Sequence, residues 1–124
     1  MSWIFNAVRR TFSSSAPLST EHTALAKEAV EDLIKSPVAV FSKSYCPFCT
    51  EAKGILAELG QKERMKVIEL DHVGHGAAIQ NYLAEKAGAS RVTVPQIYIN
   101  GENVGGCSDL KKLRSNGKLD ELLK

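Results

Sequence analysis

Two cysteines three residues apart, Cys46 and Cys49, are the residues of this chain whose type and spacing best suit chemistry. The thiolate is the nucleophilic and metal-binding form of cysteine, so such a pair suits thiol–disulfide exchange or metal binding. Pro47 directly follows Cys46, and proline is favoured at the first position of a helix. The pattern therefore places Cys46 at a helix N-terminus, where unpaired N–H groups and the helix dipole stabilise a negative sulfur.

The spacing predicts different roles for the two thiols. Residues at i and i+3 of a helix share one face, so the two sulfurs can close a small disulfide. We expect Cys46 to be the exposed attacking thiolate with a depressed pKa, and Cys49 to be its buried resolving partner. Lys43, three residues before Cys46, adds positive charge to this site.

A structural zinc site is the alternative use of such a pair. It normally needs a second pair of ligands, such as another C-x-x-C or two histidines separated by about three to five residues. The remaining candidates, Cys107, His22, His72 and His75, do not form that pattern. We interpret His72 and His75 as solvated loop residues and Cys107 as a small, partly buried residue, and we expect no metal.

The composition of the chain indicates one domain in a reducing compartment. Its 124 residues are 44% hydrophobic and 24% charged, which suits a single core. Three cysteines, an odd number, do not make a disulfide framework. The formal net charge is +2, and beyond residue 20 the chain is electrically neutral without a basic run. Because there is no basic run, we expect no nucleic acid as partner. No apolar run approaches the roughly 18–20 residues of a membrane span, so we expect no membrane as partner.

Residues 1–20 have the composition of a targeting segment. They contain Arg9, Arg10, seven Ser or Thr residues and no acidic residue. On a helical wheel the apolar side chains fall opposite the two arginines, which is typical of a mitochondrial presequence. We therefore predict a transit peptide and linker at residues 1–20 and a folded domain at residues 21–124. The predicted location is the mitochondrial matrix, with the cytoplasm and the plastid as alternatives.

Hydrophobic periodicity predicts an alternation of helices and strands in the order α-β-α-β-α-β-β-α, followed by a last short helix. The predicted helices span residues 21–35, 47–59, 76–87, a stretch from about 109, and 118–122; the predicted strands span 38–42, 65–71, 96–99 and 102–104. Thr20 and Ser108 are the predicted N-caps of their helices, and Asn100-Gly101 favours a type I′ hairpin. This order indicates a mixed sheet with helices on both faces. The cysteine pair follows the first strand, at the sheet edge where sites of α/β proteins collect.

Three motifs together resemble those of the dithiol glutaredoxins of the thioredoxin superfamily. They are Lys43-Ser44-Tyr45-Cys46-Pro47-Phe48-Cys49, Thr93-Val94-Pro95 and Gly105-Gly106-Cys107-Ser108-Asp109. The resemblance covers about residues 22–122. It implies a thioredoxin-like (glutaredoxin) α/β fold, in which a four-stranded mixed sheet is flanked by helices, and a monomeric protein.

The resemblance also implies a glutathione-binding groove beside the attacking cysteine. Pro95 would be cis, and the backbone of Val94 would pair with glutathione like a short added strand. Gly106 would allow close approach of the ligand, N–H groups at Ser108 would bind the γ-glutamyl carboxylate, and Asp109 would pair with its ammonium group. The implied glutathione-binding residues are Lys43, Phe48, Arg91, Thr93, Val94, Pro95, Gly106, Cys107, Ser108 and Asp109.

Two positions depart from the family pattern. Phe48, which would line the groove, stands where tyrosine is commoner, and the missing hydroxyl should matter little to thiol chemistry. Val92 directly precedes Thr93, where many members have a basic residue. Arg91, one place further away, would share the glycyl carboxylate of glutathione with Lys43, although a solvated loop charge is an equal alternative.

The function that the resemblance implies is glutathione-dependent thiol–disulfide exchange. Cys46 would attack protein–glutathione mixed disulfides, Cys49 would resolve mixed disulfides formed with protein disulfides, and glutathione reductase would regenerate the reductant indirectly. One alternative is a carrier that ligates an iron–sulfur cluster with its first cysteine and glutathione. Pro47 disfavours a carrier, since its fixed φ and missing N–H constrain the segment beside the sulfur. A thioredoxin driven by its own reductase is disfavoured by the Gly105–Asp109 motif.

Overall fold

The fold is known from a computed structural model that describes residues 18–124. Most of the predicted targeting segment, residues 1–17, lies outside the described residues. The elements in chain order are α1 (Leu18–Leu33), β1 (Val38–Ser42), α2 (Pro47–Glu58), β2 (Met65–Glu69), a 3₁₀ turn (Leu70–His72), α3 (Gly76–Lys86), β3 (Gln96–Ile99), β4 (Glu102–Gly105), α4 (Cys107–Ser115) and α5 (Lys118–Leu122). Their order is the one that the sequence predicts.

The four strands form one mixed sheet in the order β2-β1-β3-β4. Strand β1 is parallel to β2 and antiparallel to β3, so Val40 pairs with Val67 on one side and with Ile97 on the other. Strand β4 returns antiparallel to β3 at the edge. Asn100 and Gly101, which join them, both have positive φ angles of 53° and 84°, as the predicted type I′ hairpin requires.

Alternating residues of β1 divide the interior into two apolar clusters, one on each face of the sheet. Val38 and Val40 pack with residues of α2, α4 and α5. Ala39 and Phe41 pack with residues of α1 and α3, and the Phe41 ring meets Tyr98 edge-on at 5.9 Å. All five residues of β1 are buried, which is why this strand reads as a continuous apolar run. The predicted architecture of a sheet with helices on both faces is confirmed.

Several predicted boundaries are wrong by a few residues. Helix α1 begins at Leu18, so Thr20 lies inside it and is not its N-cap. Strand β2 ends at Glu69, because the chain turns there into a 3₁₀ segment that buries Leu70. Helix α3 ends at Lys86, one residue before its predicted end, and Ala87 is exposed.

The start of α4 also differs from its prediction. The helix begins at Cys107 with Gly106 in the N-cap position, so Ser108 is a helical residue and not the cap. The Asp109 carboxylate accepts a hydrogen bond from the Gly106 N–H at 3.0 Å, so this donor at the start of the helix has a partner. Within residues 18–124, no helix combines the length and the apolar character needed to cross a bilayer.

Candidate active site around Cys46 and Cys49

Cys46 occupies the N-cap position of α2, and Pro47 is the first residue of the helix, as predicted. The extended backbone of Cys46 (φ −88°, ψ 119°) carries the chain from the β1–α2 loop into the helix. Cys46 is half-buried, whereas Cys49, one turn further, is fully buried against the core. Both cysteines are free thiols, so the fold describes the reduced pair.

The environment of Cys46 lowers the pKa of its thiol. Burial opposes the thiolate and is the largest single influence on it. Hydrogen bonds from the Cys49 thiol and from the N–H groups of Cys49 and Phe48, together with the charge of Lys43, outweigh that penalty. The net effect matches the expectation for a thiol at a helix N-terminus. Cys46 is therefore equipped to react as a thiolate.

Cys49 differs from Cys46 in the direction of its pKa shift. Burial raises the pKa of Cys49, and its interaction with Cys46 raises it further. The N–H of Lys43, 3.5 Å from the Cys49 sulfur, and the Ser42 hydroxyl act in the opposite direction without outweighing burial. A buried thiol of raised pKa stays protonated while its exposed neighbour reacts, which suits a resolving role.

The segment before β3 comes next to the reactive sulfur because β3 is antiparallel to β1. The chain enters β3 at the edge of the sheet where β1 ends. The Val94–Pro95 peptide bond is cis, as the resemblance implied. The Cys46 thiol points to the Val94 carbonyl oxygen, with 3.9 Å between the two atoms. The backbone of Val94 thus lies directly beside the sulfur that would react.

Two open cavities adjoin this point, and Thr93 and Val94 line both of them. The first, of about 600 Å³, is lined by Cys46 together with Lys43 and Arg91. The second, of about 450 Å³, lies towards the start of α4. Its lining includes Phe48, Pro95, Gly106, Cys107, Ser108 and Asp109. All ten residues predicted to bind glutathione therefore line one cavity or the other, and we call the two together the groove.

The groove has a different charge at each end. Lys43 and the exposed Arg91 give the first cavity two cations. At the other end, Lys111 is paired with Glu51, and the Asp109 carboxylate is held against the Gly106 N–H at the start of α4. The groove can therefore bind an elongated ligand that carries a carboxylate at one end and an ammonium group at the other.

Cys107 lines the groove, but its surroundings favour the protonated thiol. The residue is 5% exposed, so it is more buried than the partly buried position predicted for it. Burial raises the pKa of Cys107, and a hydrogen bond with the Glu51 carboxylate raises it further. Glu51 is itself paired with Lys111 at 2.5 Å. The third thiol therefore resists becoming a thiolate.

The groove also has lining residues that sequence reasoning did not assign to it, among them Tyr45, Gln80, Gln96 and Lys111. Gln80 donates a hydrogen bond to the Val92 carbonyl at 2.9 Å and so fixes the segment that precedes the cis proline. Tyr45 lies inside the quoted cysteine motif, so its position could have been inferred. Nothing local marks Gln80 or Lys111, because they reach the groove from separate helices.

The histidines take no part in the groove. His72 is exposed and lies 3.6 Å from Asp71, as expected of a solvated residue. His75, predicted to be solvated, is half-buried at the N-cap of α3, since the turn before that helix packs onto the domain. Among residues 18–124, no three His, Cys, Asp or Glu side chains are grouped so that they could hold a metal ion.

A dithiol at the first turn of the helix that follows the central strand, facing a cis proline, defines a thiol oxidoreductase of the thioredoxin superfamily. The glutaredoxin family model matches residues 38–104, and the chain belongs to the glutaredoxin family. It is 47% identical over 98 residues to Glutaredoxin-1 of Rhizophagus irregularis, covering 78% of this chain and 93% of that protein. It is 46% identical over 102 residues to Glutaredoxin-2 of Schizosaccharomyces pombe, covering 82% and 89%.

Solved structures agree with this assignment. A buckwheat glutaredoxin–glutathione complex superposes with a TM-score of 0.75 at 36% identity, covering 83% of this chain and 91% of that one. The holo form of glutaredoxin C1 from a poplar hybrid gives a TM-score of 0.73 at 35% identity, covering 83% and 90%. The predicted mixed four-stranded sheet with flanking helices is the fold that these neighbours share.

Proposed function

We propose that this chain reduces protein–glutathione mixed disulfides, with glutathione as the reductant. The observation that carries the proposal is the position of Cys46, a half-buried thiol of lowered pKa that opens into the groove. A similar structure is a complex of a glutaredoxin with glutathione, which makes glutathione the natural occupant. Glutaredoxin potentials lie at about −200 to −230 mV, close enough to the glutathione pool for that pool to reduce the enzyme.

The proposed reaction begins at Cys46. Its thiolate attacks the glutathione sulfur of the substrate, the substrate disulfide breaks, and the protein leaves as a thiolate that takes a proton from solvent. Cys46 then carries glutathione in a mixed disulfide. The thiolate of a second glutathione attacks the glutathione sulfur of this intermediate, so that glutathione disulfide leaves and the Cys46 thiolate is restored.

Reduction of a protein disulfide would also use Cys49. Cys46 attacks one sulfur of the substrate and forms a mixed disulfide with it. The Cys49 thiol loses its proton and attacks the Cys46 sulfur, which releases the second protein thiol and leaves a Cys46–Cys49 disulfide. Because burial raises the pKa of Cys49, this step becomes faster as the pH rises. Two glutathione molecules then reduce the internal disulfide in two exchanges.

In the proposed function, residues of the groove bind glutathione at both of its ends. Lys43 and Arg91 would bind the glycyl carboxylate, and the Val94 backbone would pair with the extended tripeptide. The N–H groups at the start of α4 would bind the γ-glutamyl carboxylate, while Asp109 would bind its ammonium group. Binding at both ends would leave the glutathione sulfur beside Cys46.

The test is the glutathione-dependent reduction of a glutathionylated peptide by the wild type and two variants. Cys46→Ser should fall to the uncatalysed rate, because it removes the nucleophile. Cys49→Ser should remain active on this substrate and lose activity on a protein disulfide. Activity that survives in Cys46→Ser, or an inactive wild type, would contradict the proposal.

The iron–sulfur carrier remains the rival function, and it uses the same first cysteine. Anaerobic purification separates the two functions, since a carrier would emerge as a brown dimer that absorbs visible light. The proposed reductase should be a colourless monomer whose activity does not depend on iron. A coloured dimer that is inactive towards the glutathionylated peptide would favour the carrier.

We also propose that residues 1–20 direct the chain to the mitochondrial matrix, on the basis of their acid-free, arginine-containing composition. A fusion of these residues to a fluorescent reporter tests this location. Mitochondrial fluorescence is expected, and replacement of Arg9 and Arg10 by glutamine should abolish it. Cytosolic or plastid fluorescence of the unaltered fusion would contradict the mitochondrial location.

A further inference from the structure

Asp71 fastens the loop between β1 and α2 to the neighbouring strand. The parallel register pairs Ser42 with Glu69, the last residues of β1 and β2. Two residues further along each chain, Ser44 lies opposite Asp71, where the backbone ladder has ended. The carboxylate replaces the missing backbone acceptor, since Oδ1 accepts the Ser44 N–H at 2.9 Å and Oδ2 accepts the Ser44 hydroxyl.

Ser44 is next in sequence to Lys43, whose backbone contacts both cysteines. The Lys43 N–H donates to the Cys49 sulfur, and the Lys43 carbonyl accepts the Cys46 N–H at 3.0 Å. The Lys43 side chain and Cys46 line the same cavity. A displacement of Ser44 would therefore move Lys43 and both cysteines relative to one another.

We propose that Asp71 is a positioning residue for the thiol chemistry of Cys46. By holding Ser44 at two points, its carboxylate keeps the β1–α2 loop in the conformation that sets Lys43 beside the nucleophile. Asp71 touches neither the reacting sulfur nor the groove. The inference rests on the proposed function, and it adds a residue that neither the cysteine motif nor the groove contains.

A positioning role and a purely electrostatic role of Asp71 predict opposite shifts in the pKa of Cys46. A nearby anion disfavours a thiolate, so removal of the charge alone would lower the pKa of Cys46. Loss of the loop conformation would separate Lys43 from the thiolate and raise that pKa. The other charged groups near this contact are His72, beside Asp71, and the Lys53–Glu69 ion pair, in which Lys53 offsets the charge of Glu69.

The test compares Asp71→Ala, Asp71→Asn and the control Asp32→Ala in the full chain. Asp32 is an exposed aspartate of α1 that does not line the groove. Asparagine retains an oxygen for the Ser44 N–H and an amide for its hydroxyl, so it restores the position without the charge. The readouts are kcat/KM on a glutathionylated peptide and the pH profile of Cys46 alkylation, followed by mass spectrometry.

The proposal predicts that Asp71→Ala loses about tenfold or more in kcat/KM and shifts the alkylation profile to higher pH. Asp71→Asn should retain most of the wild-type rate, and Asp32→Ala should equal the wild type.

Two results would overturn the proposal by assigning the effect to the charge of Asp71. One is an equal loss of kcat/KM in Asp71→Ala and Asp71→Asn, and the other is a shift of the Cys46 alkylation profile to lower pH. A lower melting temperature with an unchanged rate and profile would also overturn it, because Asp71 would then be merely structural. An inactive wild type would refute the proposed function, while the alkylation profile would still decide the role of Asp71.

Discussion

At the scale of single residues, the reactivity of Cys46 reflects a balance between burial and several hydrogen bonds. Burial alone would raise the pKa of Cys46, as it does for Cys49 and Cys107. Cys46 differs because helix N–H groups, the Cys49 thiol and Lys43 all favour its thiolate. The three cysteines of this small domain thus differ in the direction of their pKa shifts, and only the pKa of Cys46 is lowered.

Of the groups that lower the pKa of Cys46, the Cys49 thiol is the easiest to remove by substitution. In Cys49→Ala the donor is lost, so the pKa of Cys46 should rise towards the ordinary value of a thiol. The thiolate fraction at mildly acidic pH then falls, and alkylation of Cys46 by iodoacetamide should slow there. The control Cys107→Ala should keep the wild-type pH profile. An unchanged profile in Cys49→Ala would refute the assigned contribution of the Cys49 thiol.

The positions of the two motif cysteines could be predicted because they depend on local geometry. A proline at the first helical position and an i, i+3 spacing are visible in the sequence and are sufficient to orient both thiols. The contact between Ser44 and Asp71 could not be predicted in this way. It joins residues 27 positions apart, and it exists only because the register of two parallel strands brings them together.

At the scale of elements, the junction between β4 and α4 shapes the end of the groove. Gly105 has a φ of +100°, a conformation that glycine adopts at little cost. A Cβ at this position would lie 2.8 Å from the Asp109 Cβ. The absence of a side chain at Gly105 therefore leaves the Asp109 carboxylate room to bind the Gly106 N–H.

Gly105→Ala should consequently damage both stability and the groove. The strained backbone costs about 1–3 kcal/mol of unfolding free energy, and the displaced Asp109 should raise KM for glutathione. Urea unfolding and steady-state kinetics measure the two effects. The matched control is Gly54→Ala in α2, where the added Cβ meets open space. It should stabilise the fold by about 0.5–1 kcal/mol with unchanged kinetics, and equal behaviour of the two variants would contradict this account.

Element order could be predicted better than element ends. The periodicity predicted α5 at Lys118–Leu122 and β3 at Gln96–Ile99 with the bounds observed. Strand β2 and helix α4 were misjudged, because their ends depend on where Leu70 is buried and on how Asp109 satisfies Gly106. Such side-chain contacts compete with local propensity, and propensity alone does not show which contact prevails.

At the scale of the whole molecule, polar contacts join α1 to α3 on the sheet face opposite α2. The Tyr82 hydroxyl donates to the Glu31 carboxylate at 2.6 Å, and Lys86 pairs with the same oxygen at 3.0 Å. The hydrogen bond from Tyr82 lowers the pKa of Glu31, and the same bond raises the pKa of Tyr82 to about 12. This polar link supplements the apolar cluster beneath it.

The stability from this link should depend on pH at both extremes. Because the folded pKa of Glu31 is lowered, its contribution is present above the ordinary carboxyl pKa and is lost as the pH falls. Because the folded pKa of Tyr82 is raised, its contribution is complete below pH 10 and is lost as the pH rises towards about 12. Tyr82→Phe should cost about 0.5–1 kcal/mol at pH 7, discounted for exposure, and almost nothing near pH 2.

Urea unfolding at the two pH values measures the effect of Tyr82→Phe. The matched control is Tyr45→Phe, which alters an exposed tyrosine of the groove and should leave stability unchanged at both pH values. An equal cost of Tyr82→Phe at pH 7 and pH 2 would show that the ring, and not the bond to Glu31, stabilises the fold.

The sequence predicts only part of the sheet topology. The apolar run of β1 indicated a central strand, and the hairpin residues indicated the pairing of β3 with β4. The placement of β1 between β2 and β3 was not predicted, because no local pattern states which strands pair. The groove forms only when this topology brings residues 91–95 next to Cys46.

Under the proposed mechanism, Cys46 alone forms a mixed disulfide with glutathione. The most direct measurement is mass spectrometry of the full-length Cys49→Ser variant after incubation with glutathione disulfide. Without a resolving thiol the intermediate should accumulate as a single glutathione adduct on Cys46, while buried Cys107 remains unmodified. An adduct on Cys107, or no adduct on Cys46, would contradict the account.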